Sequence, residues 1–174
     1  LFDDISTSYK KMALASAELI REFLEDLSLL YNAKSQSASA SYYPKRIPSD
    51  GLIDWHRSSF DIYNFVRALT KPYPCAQTSH NNHEISIIKC VPFDEMQGIP
   101  GVIDFVFEDN SFLVFCSDGR LLVTDYQCNP KWSPVKNAAF DSVDFNSQLS
   151  EIVKRHTNKY PDLKISDKII KMIK

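Results

Sequence analysis

Between Ala76 and Asp125 the chain carries five short runs, residues 76–79, 85–91, 102–107, 112–116 and 120–125, most of them built on Ile, Val, Leu and Phe. Their type and length fit β-strands. The connections are too short for crossovers. His80-Asn81-Asn82-His83, Glu108-Asp109-Asn110 and Asp118-Gly119 are turn sequences, and the last is a strong hairpin signal. Successive strands joined this tightly must be antiparallel. Five of them have few ways to hide their edges, and closure into a small barrel is the commonest.

Helical patterns flank these strands. Ser58 followed by Asp61 has the form of a capping box ahead of Ile62, Tyr63, Val66 and Leu69, so a short helix runs to about Leu69, where Pro72 and Pro74 end it. Tyr9, Met12, Ala13, Leu19, Ile20, Phe23, Leu24, Leu27 and Leu30 share one stripe of a helix spanning about residues 7–30. Asp3, Asp4 and Ser6 supply anions and capping oxygens at its start. Residues 33–41 are Ala, Ser, Lys and Gln without periodicity, and Tyr42, Pro44, Pro48, Asp50 and Gly51 follow, so residues 33–51 read as a linker. Beyond Asn129, Phe145, Leu149, Ile152 and Val153 suggest one helix and Ile165, Ile169, Ile170 and Ile173 another.

The chain of 174 residues is long enough for one domain or two small ones. No uncharged apolar run approaches the ~18 residues that span a bilayer, and no basic stretch precedes an apolar one at the N-terminus. The expectation is a soluble, cytoplasmic protein with no membrane partner. The chain opens on Leu1 rather than Met, as a processed product or a piece of a longer protein does. Cys75, Cys90, Cys116 and Cys128 contain no C-x-x-C pair and read as buried free thiols.

Charge is unevenly spread. Residues 1–70 have net charge −1, residues 71–128 have three basic against eight acidic groups (net −5), and residues 129–174 have nine against five (net +4). A sheet domain that grips nucleic acid must neutralise phosphates with Lys and Arg, so the central segment argues against nucleic acid. The lysines of the basic tail, Lys154, Lys159, Lys164 and Lys168, are spaced as on a solvated helix face.

No Ser/His/Asp grouping and no paired carboxylates identify a reaction, so no catalytic residue is assigned. His80, His83 and Glu84 could be offered as a metal cluster, but their spacing fits a hairpin tip better, and no metal is expected. Trp55 and Arg57 sit just before a helix N-terminus, where free N–H groups hold anions; the alternative makes Trp55 a core anchor and Arg57 solvated. Arg67 lies on that helix. Tyr73, held between Pro72 and Pro74, either presents a flat face to a base or sugar or closes one end of the barrel.

Residues 42–55 (YYPKRIPSDGLIDW) and 66–74 (VRALTKPYP) resemble the linker and C-terminal domain entry of formyltetrahydrofolate-dependent formyltransferases, and the likeness extends over about residues 1–126. It covers the methionyl-tRNA formyltransferases and, more closely, the relatives that formylate a nucleotide-linked amino sugar. The resemblance implies an α+β chain. Residues 1–32 would be the terminal helix of a Rossmann-like catalytic domain, 33–51 a linker, 52–128 a small open antiparallel barrel of OB-like form, and 129–174 a helical extension that matches nothing. The family's catalytic Asn, His and Asp have no counterpart here. N10-formyltetrahydrofolate would therefore be co-substrate of the complete enzyme, and this piece alone would bind no cofactor.

The implied partners are a nucleotide-linked amino sugar, the chain's own catalytic domain and a second copy in a homodimer. Trp55, Arg57, Arg67 and Tyr73, with Arg46, are the candidate substrate contacts, because a diphosphate needs one or two cations and an aromatic platform. The alternatives are the corresponding part of a methionyl-tRNA formyltransferase and a stand-alone binding or dimerisation module. Cys75 stands where the family usually has Gly, which implies an ordinary negative φ there.

Overall fold

The computed structural model describes residues 3–35, 40–129 and 131–173. Four linker positions, 36–39, lie outside the described residues. Helix α1 (Ile5–Glu25) is followed by a 3-10 turn (Leu27–Asn32), α2 (Ser59–Leu69), strands β1 (Ala76–His80), β2 (His83–Asp94), β3 (Ile103–Val106), β4 (Phe112–Phe115) and β5 (Arg120–Cys128), then α3 (Phe145–Lys159) and α4 (Asp167–Ile173). The architecture is α+β, as the pattern of elements implies.

Local chemistry sets the helix boundaries. The Asp4 carboxylate accepts from the Thr7 N–H at 2.8 Å while Asp4 N–H donates to Thr7 Oγ1 at 2.9 Å, a reciprocal cap. Ser58 Oγ accepts from Asp61 N–H at 3.1 Å and starts α2 where the capping signal placed it. Asp26, with φ −135°, leaves the helical region and its carboxylate turns the chain onto Ser28, so α1 stops at Glu25 rather than continuing to Leu30.

The five strands form one antiparallel sheet in the order β1-β2-β5-β4-β3. The β1–β2 hairpin turns through Asn81 and Asn82, both left-handed at φ 49° and 65°. At the β4–β5 turn, Cys116 N–H donates to Gly119 carbonyl at 2.7 Å. A Cβ on Gly119 would overlap the Asp94 carbonyl, so the close approach of β2 requires glycine there. Bulges in β2 put the adjacent residues Ile87 and Ile88 both out of solvent and bend the long strand over the core.

The sheet remains open, as the family resemblance implies, and is not closed as the need to hide its edges alone would suggest. Both edges are instead covered by irregular chain. Ile53 N–H donates to Gln77 carbonyl on β1 at 2.8 Å. On β3, Ile103 N–H donates to the Ala138 carbonyl and Asn137 N–H donates to that of Ile103; three residues beyond Ala138, Asp141 N–H reaches the Ser79 carbonyl on β1 at 2.9 Å. Residues 137–141 thus cross from one edge of the sheet to the other and satisfy groups that a barrel closure would have paired.

One core lies beneath this sheet. Trp55, Ile62, Val66, Ile85, Ile87, Ile103, Phe112, Val114, Leu121 and Val123 fill it, and Trp132 and Phe140 from the segment after Asn129 belong to it as well. A second, smaller core of Leu149, Ile165 and Ile169 joins α3 to α4. The linker end is tied to this pair. Tyr42 bonds across Lys164 and Ser166, and the buried Asp50 carboxylate accepts from Ile47 N–H at 2.8 Å and from Arg155 Nη2 at 2.5 Å. No residue of α1 is buried.

Cys75 contradicts the expectation of a negative φ: its φ is +69°. Its N–H donates to the Leu69 carbonyl at 2.9 Å, closing the end of α2, and the peptide between Lys71 and Pro72 is cis. A positive φ is costly for a residue with a Cβ, and here a non-glycine residue holds it.

Candidate functional site

The four candidate contacts do not form one cluster. Trp55 is fully buried at 0% exposure, stacked on Phe140 at 5.4 Å between centroids, and its Nε1–H donates to Thr78 Oγ1 at 3.0 Å. It presents no face to a ligand. This corrects its candidacy: an indole whose ring and N–H are both satisfied internally is a core anchor. Arg57 lies at the start of α2, 4.1 Å from the Phe145 ring centroid and 3.0 Å from the Asp61 carboxylate, joining α2 to the beginning of α3. Arg46 is similarly engaged, donating to the Asp50 carbonyl at 2.8 Å beside the Phe65 ring.

Whereas Arg57 precedes α2, Arg67 lies near the C-terminal end of that helix. Together with Tyr73 it faces the start of α1. Arg67 Nε donates to Asn64 Oδ1 at 2.9 Å and Nη1 to the Asp3 carbonyl at 2.8 Å, while the Tyr73 and Tyr9 hydroxyls share a hydrogen bond. That bond also raises the pKa of Tyr73 above its ordinary value. Beside them is a hollow of about 190 Å³ lined by Asp4, Tyr63, Arg67, Lys89, Cys90 and Thr124. It brings two cations, the Tyr63 ring and the capping carboxylate of Asp4 to the junction of α1, α2 and the sheet, with the Tyr9–Tyr73 pair outside its lining. Tyr73 remains 42% exposed there.

The residues first weighed as metal ligands are otherwise occupied. His80 Nδ1 accepts from Trp132 Nε1–H at 3.2 Å, and no group of three or more His, Cys, Asp or Glu fit to hold a metal occurs among the described residues. The thiols are not activated either. Burial pushes Cys116 up to about 12 and raises Cys75, Cys90 and Cys128. Thiols so displaced stay protonated at neutral pH and make poor nucleophiles.

One prominent polar cluster escaped the sequence reading. Arg120, 9% exposed, donates through Nε to Asp94 Oδ1 at 2.9 Å, through Nη2 to Asp94 Oδ2 and through Nη1 to Asp104 Oδ2. The paired guanidinium holds the Asp94 carboxyl below its usual range, and the carboxylates raise Arg120 in turn. The available signal was that Arg120 is the only basic residue between positions 90 and 130, against seven acids.

A small α+β module, with its single helix-capped open sheet and its arginines spent on internal contacts, is the class these features define. Residues 46–138, more than half of the chain, match the formyl transferase C-terminal domain, and the chain belongs to that family. Over 132 residues it is 33% identical to the bifunctional polymyxin resistance protein ArnA of Wigglesworthia glossinidia brevipalpis, covering 73% of this chain and 20% of that protein. Two structures of HypX variants from Aquifex aeolicus share the fold. One overlaps with TM-score 0.59 at 17% identity, covering 95% of this chain and 28% of HypX, and the other with TM-score 0.57 at 18% identity, covering 95% and 27%. The chain thus spans about a fifth of its ArnA relative and about a quarter of HypX. No helix among the described residues is long and apolar enough to cross a membrane.

Proposed function

We propose that this chain is the C-terminal portion of a cytoplasmic N-formyltransferase whose complete form moves a formyl group from N10-formyltetrahydrofolate to the amine of a nucleotide-linked amino sugar. In this reading the proton-handling and oxyanion-stabilising groups belong to the catalytic domain, which covers the apolar stripe of α1. The module supports the acceptor end of the site with Arg67 and Tyr73, at the α1 junction. Family membership supports formyl transfer. The observation that carries the choice of acceptor is the cation shortage of the sheet: its one arginine is locked between Asp94 and Asp104, which leaves Lys71 and Lys89 against the other six acids of residues 71–128. A diphosphate needs no more than that; a tRNA backbone does.

A salt titration of the complete enzyme tests the choice. Nucleotide-sugar binding should weaken only mildly between 50 and 200 mM salt, whereas a tRNA acceptor releases many counterions and loses roughly 10³-fold or more. Steep loss, with tRNA as the tighter ligand, would favour the methionyl-tRNA reading. The 174-residue chain alone should show no formyl transfer to any amine. Measurable turnover by it would overturn the division of labour.

A further inference from the structure

We propose that the outward face of the β2-β5-β4-β3 half of the sheet is a docking surface for a basic protein segment, one that presents apolar side chains flanked by Lys or Arg. The register places Val91 beside Leu122, Leu122 beside Leu113, and Leu113 beside Phe105, one apolar residue from each of four adjacent strands. At the two ends of this row Val91 and Phe105 are 39% and 46% exposed. Phe93 (50%), Met96 (52%) and Ile99 (72%) extend the exposed apolar surface along the end of β2 and the loop after it. A shallow groove of about 560 Å³ runs between Phe105, Phe107 and Leu122. Leu113, in the middle of the row, is itself buried at 3% exposure, so the exposed part is the two ends of the row and the groove beside Phe105. Scattered exposed hydrophobics need no explanation, but exposed apolar side chains gathered on one sheet face around a groove mark a contact surface.

Charge selects the occupant. Glu108 and Asp109 line the groove, which no basic residue lines, and Glu95 adjoins Met96, while Asp94 and Asp104 are paired with Arg120 and Asp118 accepts from Ser59 N–H. No basic residue occurs between residues 90 and 119. Arg120 is neutralised by Asp94 and Asp104 while lying 5.4 Å from the Phe93 ring, and Lys89 stands beside Val91 at the far end of the row, away from the groove. An anionic membrane or a nucleic acid is repelled by such a rim. A second copy meeting it through the same patch would set acid against acid, since an isologous contact places one surface against itself. A partner with apolar anchors between Lys or Arg buries the row and neutralises the rim together.

The test titrates the isotopically labelled chain with a synthetic 14-residue amphipathic Leu/Lys peptide and its Leu/Glu counterpart. Saturable shifts are expected at Val91, Phe105 and Leu122, with the Leu/Glu peptide bound at least about tenfold more weakly. In Glu95→Lys/Glu108→Lys the preference should be lost or reversed. These two side chains lie outside the core, and an unchanged melting curve confirms the fold. Phe105→Ser should weaken the Leu/Lys peptide without altering its preference over Leu/Glu. Equal binding of both peptides, shifts confined to α1, or no saturation would overturn the proposal. So would sedimentation showing that Phe105→Ser converts a dimer to monomer, because a second copy would then own the face.

Discussion

Helix α1 and the sheet module answer the same physical demand in opposite ways. The sheet buries Trp55, Phe112 and a full set of aliphatic side chains and covers its own edges with residues 52–53 and 137–141. Helix α1 has a comparable apolar stripe but buries none of it: Leu19, Ile20 and Leu24 are 65%, 59% and 68% exposed. Its ties to the module are polar and gather at its first turns, through Asp3 to Arg67 and Tyr9 to Tyr73. One region is a finished core. The other is a surface that gains its stability from whatever packs against it.

Substitutions should separate the two regions sharply. The largest effect is expected from Trp55→Ala, which removes a fully buried indole and the N–H that Thr78 Oγ1 accepts, costing about 3–5 kcal/mol in denaturant unfolding. An unchanged midpoint would mean that the sheet core does not depend on its central aromatic. Next comes Cys75→Val: a β-branched side chain at φ +69° should cost about 2 kcal/mol, whereas Cys75→Gly should stay within about 1 kcal/mol of the parent. Equal melting of the two variants would remove the backbone argument.

Arg120→Ala leaves Asp94 and Asp104 facing each other without their shared cation and should cost about 1–3 kcal/mol, moderated because both carboxylates are partly solvated. The same pair sets an acid limit. The folded pKa of Asp94 is lowered from 3.8, so its contribution is fully present above that value and is lost as pH falls below it through the folded value. Arg120→Ala should accordingly flatten the acid limb of stability against pH; an identical limb would mean the clamp carries no linkage. Smallest of all in stability is Leu24→Glu on α1, expected within about 0.5 kcal/mol because the site is exposed, yet it should abolish self-association of the isolated chain in sedimentation. A monomeric parent chain would show that the stripe needs no cover.

The structure reproduces what short-range patterns carried. Ser58 caps α2, Asn81 and Asn82 turn the first hairpin, and the Ile/Val/Phe runs are strands with ends shifted by a few residues. The candidate site was less legible. Trp55 and Tyr73 are both large aromatics near prolines or polar residues, and nothing local separates an indole that meets Phe140, 85 positions later, from a tyrosine left half exposed. Residue type alone points to a negative φ at Cys75, whereas the folded chain holds φ +69° with the Cys75 N–H on the Leu69 carbonyl, six residues back.

What the sequence alone determined is the set of elements, their caps and turns, and the family, because each rests on residues within a few positions of one another. Only the tertiary structure decided which charges are spent and which edges are covered. Arg120 finds Asp94 at a separation of 26 residues, Arg155 finds Asp50 at 105, and residues 137–141 find both edges of the sheet. Such pairings depend on where the folded core delivers each backbone segment, which no local periodicity encodes.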